Sequence, residues 1–117
     1  MSQLQSTLER LGEHEGVEHV VLLGGDGLVI QHVGLGVTEA ETVAARIPGL
    51  ASASQALGTA TGQGDFVTAA LEYESGVTIV VALSGDLLLA IVIRAGVGFA
   101  PLLRDLRSQR ARLIDLL

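Results

Sequence analysis

Apolar residues fall in blocks along this chain, and the spacing inside the blocks changes from one to the next. The longest block, Val77–Arg94, carries charge only at Asp86 and Arg94. A membrane span needs about 20 apolar residues in a row. Ser84-Gly85-Asp86 interrupts this run with turn chemistry, and each flank is strand length and rich in Val, Ile and Leu. The pattern predicts a hairpin. A two-residue turn at Gly85-Asp86 would pair Leu83 with Leu88 and Val81 with Ala90. Both faces of both strands are apolar, so the hairpin belongs in the middle of a sheet covered on each side.

The other blocks fit around it. Leu4, Leu8 and Leu11 recur at helical spacing, with Ser2 placed to cap the start and Gly12 or Gly16 the end. Glu9 and Glu13 would face outward. Val17–Leu23 and Leu28–Val33 flank Gly24-Gly25-Asp26-Gly27, which predicts a second hairpin. Thr38-Glu39-Ala40-Glu41 reads as a capping box opening a helix from Glu39 to about Ala60. Pro48 lies inside it and predicts a kink or break near Ile47. Asp65–Glu74 alternates as a third strand, with Phe66, Thr68, Ala70 and Glu72 on one face and Val67, Ala69, Leu71 and Tyr73 on the other. Ser75-Gly76 then turns into the central hairpin. After Gly96 the chain is helical again, with Pro101 in the first turn. The order is α-β-β-α-β-β-β-α, an α+β chain with five strands in one antiparallel sheet. At 117 residues it is expected to be a single domain, residues 1–117.

Composition narrows the function. Only 3% of residues are aromatic against 49% hydrophobic, so the core is aliphatic and a ring-stacking site is disfavoured. A net charge of −6 argues against nucleic acid, whose affinity comes from neutralised phosphates, and against an anionic membrane surface. The absence of cysteine excludes disulfides and thiol catalysis. All seven basic residues are arginine, which with the many glycines and alanines suggests a GC-rich bacterial genome. No signal segment opens the chain, so a cytoplasmic location without membrane insertion is expected.

Candidate chemistry is sparse. The Gly24–Gly27 loop lacks the residues and the following helix of a phosphate cradle. A turn at Gly25-Asp26 would set His19 opposite His32 and a turn at Asp26-Gly27 would not, and the sequence leaves both open; a metal site would also need further ligands, for which Glu18 or His14 could serve. Ser52 and Ser54 have no triad context. Glu72 and Glu74 read as a solvated edge. Arg104, Arg107, Arg110 and Arg112 read as partners for acidic neighbours such as Glu9 and Glu13. No catalytic, cofactor or metal residues are assigned, and no enzyme activity is expected. The strongest signal is an absence: from Ile47 to Gly64 there is no charge. A helix meeting the sheet on one side only should carry charge on the other. Ala45, Gly49, Ser52, Ala53 and Ala56 instead form a small-residue face suited to a second surface.

The segment Gly16-Val17-Glu18-His19-Val20-Val21-Leu22-Leu23-Gly24-Gly25-Asp26-Gly27-Leu28-Val29-Ile30 resembles the first hairpin of roadblock (dynein light chain) domains, and the order of elements follows that family throughout. The resemblance implies strand order 2-1-5-4-3, helices one and three on one face and helix two on the other. It also implies a homodimer through helix two and the third strand, whose Phe66, Thr68, Ala70 and Glu72 would lie at the seam. Bacterial members commonly work with a small Ras-like GTPase. The chain is therefore expected to be a non-catalytic dimeric regulator of such a GTPase, with Arg46, the one basic residue of the second helix, as the partner-binding residue. A dimeric scaffold without effect on nucleotide state is the alternative, and a small-ligand sensor a third.

Overall fold

The computed structural model describes residues 2–34 and 36–117, and the side chains of all of these but residues 37 and 38. Its elements run α1 (Gln3–Gly12), β1 (Val17–Leu23), β2 (Val29–Gly34), α2 (Val37–Ala60), β3 (Thr68–Tyr73), β4 (Gly76–Ala82), β5 (Leu88–Arg94) and α3 (Ala100–Leu116). The strands form one antiparallel sheet in the order β2-β1-β5-β4-β3. Both the α+β order and the strand order match the expectation.

The central hairpin forms as its pattern demands, but its register differs by one residue. Val81 pairs with Leu89 and Ala82 with Leu88, and Leu83 N–H donates to Leu87 C=O. Ser84, Gly85 and Asp86 are thus a three-residue loop, with Gly85 in the left-handed region at φ +63°. This register places like-facing residues opposite one another, Val81 with Leu89 on one side and Val80 with Ala90 on the other.

The two sides of the sheet are built differently. Under α1 and α3 the packing is bulky: Leu8, Leu11, Leu102, Leu106 and Leu113 meet Val20, Leu22, Ile79, Leu89, Ile91 and Ile93. Each such side chain contributes about 1.5–3 kcal/mol when fully buried. Under α2 the contacts are small: Ala40, Ala44 and Ile47 sit on Val21, Leu23, Val80, Leu88 and Ala90. Alanine against alanine lets this helix lie close to the sheet.

Helix α1 starts at the expected cap, where the Ser2 hydroxyl accepts from Gln5 N–H at 3.0 Å. The expected pairing of Glu9 and Glu13 with α3 arginines does not form. The charges are exchanged: Asp105 of α3 accepts from Arg10 at 3.1 Å and from the His14 ring N–H at 2.9 Å. Glu9 accepts from Gln5 within its own helix.

Helix α2 begins two residues earlier than expected, with Gly36 as N-cap and no side-chain capping bond. The capping side chain expected at Thr38 lies outside the described side chains. Of the kink or break expected near Ile47, the break does not occur: the helix is continuous through Pro48. Proline leaves the Ala44 carbonyl without its usual N–H partner. That carbonyl lies beside Gly27 of the β1–β2 turn, where an added Cβ would stand 3.5 Å from its oxygen. No described helix is long and apolar enough to cross a membrane.

Candidate functional site

The residues singled out on α2 all lie on its outer side. Ala45, Arg46, Gly49, Ser52, Ala53 and Ala56 are exposed, while Ala40, Ala44 and Ile47 face the sheet. A Cβ added at Gly49 would meet nothing within 4 Å, so the surface there is flat and open. Beyond Arg46 the helix carries no charge to its end. In that uncharged stretch Leu57 is 65% exposed, a large apolar side chain that the small-residue pattern did not pick out.

Strand β3 is the adjoining edge, pairing only with β4. Thr68, Ala70 and Glu72 pair with Val81, Ile79 and Val77, which places them on the α3 side of the sheet. Phe66 departs from the expected shared face. It precedes the strand and packs against the α2-side core. Its N–H is taken by the Gln55 side-chain carbonyl at 2.9 Å, and the Gln55 amide donates to Asp65 at 2.9 Å. One carboxamide therefore ties α2 to the entrance of β3 and ends the alternation there. The strand is correspondingly shorter than the expected Asp65–Glu74, and Glu74 lies in the turn.

On the α2 side of this edge Tyr73 is 62% and Val67 49% exposed, and Leu71 is half-buried. Farther along the same face, Thr78, Val92, His19 and His32 stand half-buried outside the cluster that α2 covers. The helix thus roofs one half of its face. Tyr73 and Leu57 were legible only as apolar letters. Their exposure depends on how far the helix reaches over the sheet, which no local spacing encodes.

The other candidates come together only in part. His19 pairs with Gly34 and His32 with Val21, so the two histidines are diagonal rather than opposite. Their rings still stack at 5.7 Å, with Nδ1 of His19 3.5 Å from Nε2 of His32. No group of three metal-ligating side chains occurs among the described residues. Two amides of the Gly24–Gly27 turn are used internally, Gly24 N–H donating to Leu28 C=O and Gly27 N–H to Gly24 C=O, and Leu28 N–H donates to Asp26. Ser52 is exposed on α2 and Ser54 half-buried. Of the α3 arginines, Arg104, Arg107 and Arg112 are exposed, and Arg110 donates from Nε to the Ala82 carbonyl at 2.9 Å.

The arrangement offers an uncharged helix face beside an open strand edge whose one charged residue is Glu72, and suits contact with another protein. Comparisons with known proteins identify the family. Residues 3–93 match the family model for the Roadblock/LC7 domain. The chain is similar to a Roadblock/LC7 domain from Streptomyces avermitilis, at 27% identity over 97% of this chain and 93% of that one, with a TM-score of 0.80. In fold it is also similar to MglB of Myxococcus xanthus (14% identity, 99% and 95% covered, TM-score 0.87). The gliding protein MglB of Thermus thermophilus shares the fold as well (20% identity, 97% and 87% covered, TM-score 0.85). Among curated proteins none matches. The family model spans all five strands and the first two helices, in the order and sheet topology described above, and the chain belongs to the Roadblock/LC7 domain family.

Proposed function

We propose that two copies of this chain associate through the outer face of α2 and the free edge of β3, and that the homodimer regulates a small Ras-like GTPase by protein–protein contact. The observation that carries this reading is the continuity of two incomplete surfaces: an uncharged helix face beside an unpaired strand edge. An open regular edge invites another strand. Ala45, Gly49, Ser52, Ala53 and Ala56 allow a second backbone to approach closely, and Leu57 and Tyr73 supply apolar area. A second copy would also roof the half of the α2-side face that its own helix leaves uncovered.

The GTPase partnership rests on family membership, since bacterial roadblock proteins commonly work with such enzymes. The dimer would act by favouring one arrangement of the switch loops, which needs no catalytic group in this chain. Arg46, exposed at the charged end of the helix face, would be the residue that reaches the partner.

Light scattering after gel filtration tests the first half. A species of 12.1 kDa at micromolar concentration would end the dimer reading. Single-turnover GTP hydrolysis by a Ras-like GTPase encoded beside this chain tests the second. A changed rate supports regulation, whereas binding with an unchanged rate makes the dimer a scaffold.

A further inference from the structure

One backbone hydrogen bond decides which residues of β3 face outward. Ala82 N–H donates to Val67 C=O, so Val67 and Ala82 are a bonded pair. By alternation Ala69, Leu71 and Tyr73 also turn their backbone groups toward β4. Thr68, Ala70 and Glu72 therefore present N–H and C=O to the open side. Phe66 cannot lengthen this row, because Gln55 holds its N–H.

In a two-fold dimer, edge-to-edge β3 strands run antiparallel. All three outward residues are used only when Ala70 faces Ala70 of the second copy. A shift of the axis by one residue either way brings in Phe66 or Glu74 instead, neither of which lies in the strand. In the Ala70-centred register Glu72 stands opposite Thr68 of the second copy, both on the α3 side.

The charges on that side are polarised. Thr68 borders a groove of about 470 Å³ lined also by Val81, Leu106, Arg107 and Arg110. Arg110 is anchored there through Nε to the Ala82 carbonyl. The Thr68 end of the edge thus carries two arginines, and the other end carries Glu72, which borders a second cavity together with Glu74 and Arg94. Antiparallel apposition lays each Glu72 end against the other copy's arginine end, once on either side of the axis.

We propose that Glu72 of each copy forms an ion pair with the Arg107 and Arg110 guanidinium groups of the other, and that this charge lock fixes the register of the β3–β3 seam. It rests on the dimer reading above and assigns the residues that would align it. Isolated surface pairs are weak. Here two symmetry-related pairs act at a desolvated seam, and a slipped register loses both at once.

The test is a charge exchange followed by sedimentation equilibrium, with circular dichroism melting to confirm the fold of each variant. Glu72→Arg alone, and Arg107→Glu with Arg110→Glu, should each raise the dimer dissociation constant about tenfold. Mixed in equal amounts, the two variants should associate nearly as tightly as the original chain, because the heterodimer restores both pairs, one with its original signs and the other with its signs exchanged. Glu74→Arg, the same charge change outside the strand, should not weaken association. If the double arginine variant does not fold, Arg107→Glu replaces it in the mixture. A dimeric parent whose variants bind no better mixed than alone overturns the lock and leaves the dimer standing. A monomeric parent overturns the dimer reading itself.

Discussion

The sheet has two edges, and they are finished differently. At β2 the ladder slips between Leu22 and Leu23, leaving Ile30 as an extra residue between Val29 and Gln31. Gln31 bonds to Gln5 of α1. At the far end Gly34 passes so close to the Glu18 carbonyl that an added Cβ would collide with its oxygen. Bulges of this kind twist an edge and spoil it as a template. At β3 six residues pair with β4 in unbroken register, and the other side is bare. The regular edge is also the one beside the uncharged helix face. One edge is closed by irregularity, and the other is left in the form a second strand can use.

The comparison breaks most sharply on the helix. Ala53→Glu should raise the dimer dissociation constant at least about a hundredfold, because an unpaired carboxylate would be desolvated at the seam. Melting of the single chain should hardly change, since Ala53 is exposed. An unaltered mass by light scattering would place the seam elsewhere. Next in size is Ala70→Pro. Its N–H points outward, so proline spares the intrachain ladder but removes two bonds at the proposed axis. At roughly 1 kcal/mol for each bond, association should weaken about thirtyfold. A folded variant that associates as tightly as the parent would place the axis away from Ala70. The smallest effect is expected at the other edge. Ile30→Lys should leave the mass unchanged and shift stability by no more than about 0.5 kcal/mol. Loss of the dimer here, with Ala70→Pro tolerated, would exchange the roles of the two edges.

How much of this was legible in the sequence follows the reach of each signal. The central hairpin announced itself through two doubly apolar runs, and its placement needed no knowledge of distant residues. The outer face of α2 was visible as missing charge, and Ala45, Gly49, Ser52, Ala53 and Ala56 are all exposed together. Signals failed where a distant group decided a local outcome. Phe66 reads as a strand residue until Gln55, eleven residues earlier, takes its N–H. Pro48 reads as a kink or break, yet the helix continues through it, with Ala44 and Ile47 packed on the sheet. The loop length at Gly85 moves the central hairpin one residue from the register that a count of apolar letters gives, and the first hairpin, whose turn the letters leave open, carries a bulge at Ile30 that they do not encode. Leu57 and Tyr73 stayed hidden because their exposure depends on where α2 stops covering the sheet.

The Gln55 carboxamide has one more consequence. By accepting from Phe66 and donating to Asp65, it splints the helix to the strand within a single chain. Surfaces assembled from two elements usually lose freedom when a partner first brings them together. Here one side chain sets part of that order within the single chain, so a partner meeting α2 and the entrance of β3 has less left to arrange.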